Sequence, residues 1–349
     1  MKICVVTVYD SINSGSFWQA YALGQVLKMQ GHNVYFYKRG KNGASSSLAI
    51  QAKTIIQLLF RLQIAEACNY IRMLRLFTKA KSNFAVIDPT STVYKEIDRF
   101  ILGSDTIWNL NSEYFRRYRN IFWGDAFYGR KVISYGGSIA NTEASAFNDC
   151  CFHNSIKRWN AVSVRDEHTK DVFSNLINRT IHIVCDPTLL LTESYYKGIC
   201  KPQTGDYIFL YIFKKLNINH DKQLREFADM NNLTIISGTK KGISTETDEL
   251  VTNGPYNFMK YMLGAKYIVT DTYHGTVFST NFNKQFIVIN HKLMKINDFL
   301  STVGLTSRII SENSSFMDTI TSPINYSHTN KIIEEIRQNS IEFLYSKLK

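Results

Sequence analysis

Short runs of apolar residues alternate along this chain with longer segments in which apolar positions recur at helical spacing. We predict a buried strand wherever such a run is bounded by turn residues. The predicted strands cover residues 3–8, 34–37, 98–102, 131–135, 161–164, 181–184, 207–212, 233–237, 267–270 and 286–289. Because helical segments separate successive strands, the pattern indicates a parallel α/β architecture.

The first strand–helix–strand unit shows this pattern most clearly. Strand 3–8 leads into a polar loop at 9–16, and a helix predicted over 17–28 ends at Gly31 before strand 34–37. The loop carries a glycine, but the G-x-G-x-x-G spacing of dinucleotide-binding proteins is missing from it. The sequence therefore predicts a Rossmann-like unit without a dinucleotide fingerprint.

A looser segment with prolines divides the chain. It begins at Asp186 and continues through Pro202 to Asp206. Segments of this kind connect domains, and 349 residues suit two domains of ordinary size. We predict an N-terminal domain over 1–195 and a C-terminal domain over 196–349 that ends in a helix.

Residues 48–82 read as one or two helices with an unusual charge balance. The basic residues are Lys53, Arg61, Arg72, Arg75, Lys79 and Lys81, against a single acidic residue, Glu66. Leucine, isoleucine and phenylalanine supply an apolar side. Such a stretch either lies on an anionic membrane surface or packs on the domain with its basic side in water.

The amino-acid composition and net charge limit the kinds of binding partner that are expected. The chain has 41 Lys and Arg and 29 Asp and Glu, a formal charge of +12, which favours anionic partners such as phosphorylated metabolites or lipid headgroups. Zinc-finger spacing, an RNP-like motif and an arginine tract are missing, so nucleic acid is not expected. The six cysteines form no C-x-x-C pair, and no run of eighteen apolar residues occurs. These features predict a cytoplasmic protein with reduced thiols.

The turn after strand 267–270 concentrates groups that can do chemistry. A carboxylate, a hydroxyl, an imidazole and a glycine follow one another at 271–275, where a helix is predicted to begin. Ligands bind outside the carboxyl ends of parallel strands, where helix N-termini offer free N–H groups. His274 therefore either acts on an anionic ligand or serves as part of the helix cap.

Other strands also end in small or polar residues. Asp105, Ser138 and Arg165 each follow a predicted strand within a few residues. Together with His274 they are predicted to lie at the same rim of parallel sheets, where a shared cleft would form.

Seven motifs in series resemble the polysaccharide pyruvyltransferase family. They are NSGSFWQAYAL at 13–23, GSDTIWN at 103–109, SYGGS at 134–138, SVRD at 163–166, DPTLL at 186–190, DTYHGTVFS at 271–279 and KQF at 284–286. The seven motifs occur in this order and together extend over nearly the whole chain. The resemblance implies an α/β fold of two Rossmann-like domains facing a cleft, as in GT-B glycosyltransferases.

The same resemblance implies an activity. Family members transfer a pyruvyl group from phosphoenolpyruvate to a sugar as a ketal and release phosphate. The acceptor is a sugar of a surface polysaccharide, such as capsule or exopolysaccharide, or of its lipid-linked precursor. Phosphoenolpyruvate is then a co-substrate, and no metal or redox cofactor is expected. The alternatives are a GT-B glycosyltransferase that uses a nucleotide-sugar and a degenerate member that binds glycan. A lipid-linked acceptor would bring the protein to the cytoplasmic membrane face.

By motif match, His274 and Asp105 are the expected catalytic residues, with Asp105 orienting a sugar hydroxyl or the histidine. Arg165 would hold the donor carboxylate or phosphate, unless it pairs with a neighbouring acid, Asp166 or Glu167. Lys295 is either a second cation for the donor or a solvated lysine at a helix start.

The remaining expected substrate-binding residues lie in the turns themselves. They are Thr272, Gly275 and Thr276 after the strand at 267–270, Asn13, Gly15 and Gln19 in the first strand–helix turn, and Ser138. The first-turn residues would face the acceptor or, alternatively, cap and pack the helix. Many relatives have an arginine in place of Thr272, so one expected cation for the donor phosphate is replaced by a hydroxyl.

Overall fold

The computed structural model describes residues 1–39, 41–239, 244, 246–289, 294–311 and 313–349, apart from the side chains of 41–48. The chain forms two compact units. The N-terminal unit comprises Met1–Ile12, Ser16–Leu190 and Arg337–Lys349, and the C-terminal unit comprises Asn13–Gly15 and Leu191–Ile336.

A parallel sheet forms the centre of the N-terminal unit. The strands of this unit are β1 (Lys2–Val6), β2 (Asn33–Tyr37), β3 (Val86–Ile87), β4 (Arg99–Leu102), β5 (Val132–Ser134), β6 (Val162–Val164) and β7 (Ile181–Ile183). Its helices are α1 (Ser14–Met29), α2 (Lys41–Phe60), α3 (Ile64–Lys81), α4 (Thr92–Lys95), α5 (Glu113–Arg117), α6 (Arg119–Phe122), α7 (Cys150–Arg158) and α8 (Glu167–Leu176).

The strand order in this sheet is β3-β2-β1-β4-β5, with every pair parallel. β6 and β7 pair with each other, and isolated bridges from Ile133 to Ala161 and from Gly137 to Val164 place β6 beside β5. The order reverses between β1 and β4, which is the topological switch point of a Rossmann-like sheet.

Aromatic side chains dominate the core of this unit. The rings of Trp108 and Trp159 stack with centroids 5.3 Å apart, and Trp123 packs 5.9 Å from Trp108. Each buried indole N–H must find an acceptor. Trp108 Nε1 donates to the Phe122 carbonyl at 2.9 Å, and Trp159 Nε1 donates to the Trp123 carbonyl at 3.1 Å. These bonds fix the loops that follow β4 and β5 against the sheet.

The C-terminal unit is a second parallel sheet flanked by helices. Its strands are β8 (Tyr207–Tyr211), β9 (Thr234–Ser237), β10 (Glu249–Leu250), β11 (Tyr267–Thr270), β12 (Gln285–Ile289) and β13 (Ile309–Ile310). The helices that follow Leu191 are α9 (Glu193–Ile199), α10 (Ile218–Met230), α11 (Pro255–Gly264), α12 (Tyr273–Asn281), α13 (Met294–Thr302), α14 (Phe316–Thr321) and α15 (Tyr326–Lys347).

The order β10-β9-β8-β11-β12-β13 is the Rossmann order 3-2-1-4-5-6, again with parallel pairs throughout. The switch point lies between β8 and β11. Side chains from these strands, such as Leu210 and Val269, form the core together with Leu224 of α10 and Phe316 of α14. The turn containing His274 therefore follows a switch-point strand.

All ten predicted strands are present, with ends that differ by no more than two residues. The apolar pattern did not predict β3, β10 and β13, which are two-residue strands at sheet edges. The helical prediction for 48–82 is confirmed as α2 and α3, which pack against each other.

The terminal helix differs from its predicted placement in the domain over 196–349. Its last turns belong to the N-terminal unit. Ser340 Oγ accepts the Cys185 N–H at 2.9 Å, and Arg337 Nε donates to the Leu189 carbonyl at 2.6 Å. The helix thus satisfies polar main-chain groups that β7 and the following loop leave buried, which a division at 195 could not anticipate.

Among the residues that the structure describes, no helix is long and apolar enough to cross a membrane.

Candidate active site

Asp271 joins the two strands that flank the switch point of the C-terminal unit. It follows β11, and its carboxylate accepts main-chain N–H groups from the loop after β8. The donors are Phe213, at 3.0 Å, and Lys214, at 2.9 Å. Asp271 is 6% exposed, so these bonds hold the two loops together in a partly desolvated setting.

Thr272 caps the helix that follows. Its Oγ1 accepts the Gly275 N–H at 2.9 Å, the geometry of a helix N-cap. Thr270 Oγ1 accepts the Thr272 N–H at 3.1 Å and donates to the Tyr211 carbonyl at 2.8 Å. The capping role thus falls to Thr272, which leaves the His274 side chain out of the cap.

Gly275 and Thr276 build the turn rather than present side chains. A Cβ added to Gly275 would lie 2.1 Å from Thr270 Oγ1 and 2.6 Å from Thr272 Oγ1, so only glycine fits. Thr276 is fully buried, and its hydroxyl donates to the Thr272 carbonyl at 2.9 Å. We therefore assign the side chain of Thr276 to the scaffold, in place of the substrate contact expected from the sequence.

His274 lies partly exposed at the start of α12, against the first residues of α1 that belong to the same unit. A Cβ added to Gly15 would lie only 2.1 Å from His274 Nδ1. The Ser14 hydroxyl is 3.2 Å from Asn253 Oδ1, and Asn13 is exposed just before it. The N-termini of α1 and α12 thus meet at the imidazole, and their N–H groups give the site a positive partial charge.

Tyr211 holds the first residues of α1 in place beside His274. Its side chain forms hydrogen bonds with Ser14 and Asn253. Burial raises the pKa of Tyr211, and those two hydrogen bonds act in the opposite direction. The tyrosine consequently stays a neutral hydrogen-bonding group that fixes the start of α1.

Lysines add charge around the imidazole. Lys295 Nζ lies 5.4 Å from the centroid of the Tyr273 ring, which in turn packs edge-on against His274 with centroids 5.4 Å apart. Lys214 and Lys215, which are exposed in the loop after β8, were not among the site residues expected from the sequence. Their position directly after a predicted strand was the available signal. With Asp271 holding that loop, these lysines belong to the same sheet edge as His274.

In the N-terminal unit, Asp105 and Ser138 share one sheet edge, as predicted. Asp105 adopts a φ of +70°, which is uncommon for a residue with a side chain. Its Oδ2 accepts the Ser16 hydroxyl at 2.7 Å, and its carbonyl accepts the Ser138 N–H at 3.0 Å. Ser138 is fully buried and its Oγ accepts the Ala140 N–H, so this hydroxyl supports the loop, and its expected substrate contact stays a prediction.

Gln19 is also part of the scaffold. It is fully buried, and its amide donates to the carbonyls of Val8 at 3.1 Å and Ser16 at 2.9 Å. Thr7 Oγ1 lies 3.1 Å from the same nitrogen. These contacts hold the loop after β1 against α1, and the expected acceptor contact of Gln19 stays a prediction.

The acid that pairs with Arg165 is neither of the two expected from the sequence. Its Nη1 donates to Asp186 Oδ2 at 2.6 Å, and the two side chains are 2% and 0% exposed. Asp166, the partner considered from the sequence, instead caps α8 by accepting the Thr169 N–H at 2.9 Å. This buried ion pair contributes to the N-terminal unit, and the expected contact of Arg165 with the donor stays a prediction.

The structure thus groups His274, Lys295, Thr272, Gly275, Thr276, Gly15 and Asn13 in the C-terminal unit, and Asp105, Ser138, Arg165 and Gln19 in the N-terminal unit. Among the described residues, no cluster of three or more His, Cys, Asp or Glu side chains could hold a metal ion.

Solved structures share the fold of this chain. A UDP-GlcNAc 2-epimerase from Neisseria meningitidis, bound to UDP-GlcNAc, matches with a TM-score of 0.54 at 10% identity, covering 100% of this chain and 99% of the other. A Listeria monocytogenes protein assigned as a UDP-N-acetylglucosamine 2-epimerase matches with a TM-score of 0.52 at 7% identity, covering 98% and 90%. The E. coli heptosyltransferase WaaC gives a TM-score of 0.44 at 8% identity, covering 96% and 99%.

At these identities the likeness concerns the fold alone, and it confirms the predicted class of two Rossmann-like domains, GT-B-like. No curated protein matches the chain in sequence. A family model described as polysaccharide pyruvyl transferase matches residues 13–292. That match spans most of the chain, including the turn of His274, and the protein therefore belongs to the polysaccharide pyruvyl transferase family.

Proposed function

We propose that this protein transfers a pyruvyl group from phosphoenolpyruvate to two hydroxyls of one sugar, forming a ketal and releasing inorganic phosphate. The sugar belongs to a surface polysaccharide or to its lipid-linked precursor. The observation that carries the proposal is the setting of His274. The His274 side chain is partly exposed, and it takes no part in capping α12 because Thr272 is the N-cap. It lies where the N-termini of α1 and α12 meet.

The donor suits this setting on charge. Phosphoenolpyruvate carries a carboxylate and a phosphate, and both are stabilised by helix N–H groups and by cations. Lys295, beside the Tyr273 ring, and the exposed lysines after β8 supply positive charge near His274. In this proposal they take the place of the arginine that many relatives have where this chain has Thr272.

Proton transfer is the task of His274. Imidazole exchanges protons near neutral pH, which suits general acid and base work. His274 delivers a proton to the methylene carbon, which becomes a methyl group and leaves an oxocarbenium-like centre at C2. A sugar hydroxyl attacks this carbon and returns a proton to the imidazole. The oxygen of a second hydroxyl then bonds to C2 and displaces phosphate, which leaves with the electrons of the broken C–O bond and takes up the proton of that hydroxyl.

Asp105 is the proposed orienting residue for the acceptor. Its carboxylate is partly exposed and already accepts a hydroxyl from Ser16, so it has the chemistry to accept another from a sugar. Asn13, which is exposed, offers an amide for the same purpose.

The test supplies purified protein with phosphoenolpyruvate and a panel of lipid-linked and free oligosaccharides. We expect phosphate release that requires an acceptor, with a product whose mass increases by one pyruvyl ketal. Phosphoenolpyruvate alone should raise the melting temperature, because a ligand that binds only the folded state stabilises it. Transfer from a nucleotide-sugar with no response to phosphoenolpyruvate would instead establish a glycosyltransferase. Binding of glycan without turnover of either donor would contradict an enzymatic role.

A further inference from the structure

The turn between α2 and α3 exposes an unusual amount of apolar surface. Phe60 is 85% exposed, Leu62 84% and Ile64 62%, and Ile56 and Leu59 are about half exposed on the last turns of α2. Ile56, Leu59 and Phe60 are spaced three and four residues apart, so they share one side of the helix. These five residues, which we call the apolar tip, form a contiguous apolar end to the hairpin. Clusters of this kind on a protein surface mark sites of interaction.

Leu62 is a poor choice for the turn itself. Its φ is +57°, and Gln63 N–H donates to the Leu58 carbonyl at 2.9 Å while Leu62 N–H donates to Leu59 at 2.9 Å. This is the Schellman arrangement, in which the left-handed residue is usually glycine because any Cβ is disfavoured there. Glycine would stabilise this turn more than leucine does. The stability of the fold therefore does not explain the exposed Leu62 side chain.

Basic residues surround the apolar tip. Arg61 lies within it, and Lys53, Arg72, Arg75 and Lys79 are exposed on the two helices behind it. Within the described part of the chain, none of these five forms an ion pair with an acidic side chain. The hairpin therefore presents apolar groups at its end and uncompensated positive charge on its sides.

We infer that the apolar tip inserts into the interfacial region of an anionic phospholipid bilayer. Charge complementarity identifies this occupant, because apolar side chains enter the acyl boundary while lysine and arginine meet anionic headgroups. Interfacial segments penetrate by about 5–10 Å. At about 1.5 Å of rise per residue, Lys53 and Arg72 stand roughly 10–12 Å behind Phe60 and Ile64, which is the level of the phosphates.

A second copy of this chain is the competing occupant of the apolar tip. In a twofold contact the tip would meet itself, and Arg61 with its neighbouring cations would then face identical cations at close range. Like charges brought together in this way oppose association. The charge distribution thus favours a lipid surface over self-association. This inference goes beyond the proposed function, and its test measures lipid binding rather than turnover.

The test is flotation of the full chain with vesicles at low ionic strength. The protein should float with phosphatidylcholine vesicles that contain phosphatidylglycerol and stay behind with phosphatidylcholine alone. Binding should weaken as salt is raised, because the Debye length falls to about 10 Å at 0.1 M. The variant Phe60→Ser/Leu62→Gly should bind about a hundredfold more weakly, since each buried side chain contributes about tenfold or more. The variant Arg61→Gln/Arg72→Gln/Arg75→Gln should lose about a hundredfold as well.

Two measurements guard against misfolding and chance stickiness. Leu62→Gly should keep or raise the melting temperature, because it relieves the left-handed leucine. Met230→Ser removes a comparably exposed apolar side chain, 73% exposed, in the other unit and should bind like the unaltered protein. Absence of binding to anionic vesicles, or undiminished binding by Phe60→Ser/Leu62→Gly, would overturn the inference. A dimer in sedimentation velocity that Leu62→Gly dissociates, without vesicle binding, would assign the tip to a second copy instead.

Discussion

The two switch points of this chain share a strand order but differ in what fills them. Between β1 and β4, buried side chains such as Gln19, Thr7 and Ser104 bond to main-chain carbonyls and to each other. Between β8 and β11, Asp271 binds main-chain N–H groups and leaves His274 partly exposed. The first switch point is filled mainly by its own scaffold, with Asp105 partly exposed at its edge, whereas the second keeps the imidazole of His274 partly exposed.

This difference shows that strand order locates a crevice without determining its use. The use depends on whether polar side chains at the strand ends turn inward to the main chain or outward to solvent. Predictions about the two regions therefore separate cleanly. Changes at the C-terminal switch point should affect turnover, and changes to buried side chains of the N-terminal unit, such as Gln19 and Asp186, should affect folding.

The largest expected effect is on turnover. His274→Ala should lower pyruvyl transfer by about 10²- to 10⁴-fold, the range for a general acid or base. The melting temperature should change little, because Thr272 caps α12. Phosphate release and thermal unfolding measure the two effects. His153→Ala, a partly exposed histidine of α7, is the matched control and should retain activity. A large loss of stability with activity preserved would make His274 a structural residue.

The buried ion pair should show the opposite behaviour. Asp186→Asn leaves the Arg165 guanidinium buried without its charge partner, which should reduce the free energy of unfolding by about 3–5 kcal/mol. Urea denaturation measures this loss. Glu193→Gln removes an exposed pair with Lys197, four residues along α9, and should cost only about 0.3–0.5 kcal/mol. If Asp186→Asn were stable and bound phosphoenolpyruvate poorly, Arg165 would return as a donor ligand.

Gly15 offers a subtler way to disturb the imidazole. Gly15→Ala places a Cβ where His274 Nδ1 stands, so the ring must move. A displacement of about 1 Å can reduce turnover by about a hundredfold, so kcat should fall by that order while the melting temperature is nearly kept. Gly198→Ala, where a Cβ meets nothing within 4 Å, is the control. Full activity in Gly15→Ala would mean that the position of His274 is not important for the reaction.

The smallest effect is expected at the N-terminal switch point. Gln19→Met keeps the side-chain volume but leaves the Val8 and Ser16 carbonyls without their donor, which should cost about 1–3 kcal/mol. Activity per folded molecule should be unchanged. Chemical denaturation and assays well below the melting temperature separate the two quantities, with Gln57→Met on the exposed side of α2 as control. A specific loss of acceptor affinity would place Gln19 in the acceptor site after all.

Sequence patterns predicted the strands well because buried parallel strands need continuous apolar runs, such as those at 207–212 and 286–289. The two-residue edge strands were missed because two residues give no period to detect. The turns after β1, β4, β5 and β11 were also located correctly, since glycine or hydroxyl residues follow these strands closely.

The direction of individual side chains could not be predicted in the same way. Arg165 and His274 both follow a strand by a few residues, yet one is paired in the interior and the other is partly exposed. The partners that decide this, Asp186 for the arginine and Gly15 for the histidine, lie at other places in the sequence. Only packing brings these partners together. The motifs therefore predicted where each turn lies but not the direction in which its side chains point.

The last turns of α15 have a consequence for synthesis of the chain. Residues Arg337–Lys349 complete the N-terminal unit, and Ser340 supplies the acceptor for the buried Cys185 N–H. During translation the sheet from β1 to β7 emerges long before that acceptor exists. During synthesis the N-terminal unit therefore lacks the last turns of α15 and the hydrogen bond to Ser340. It is completed only after the C-terminal unit has been made.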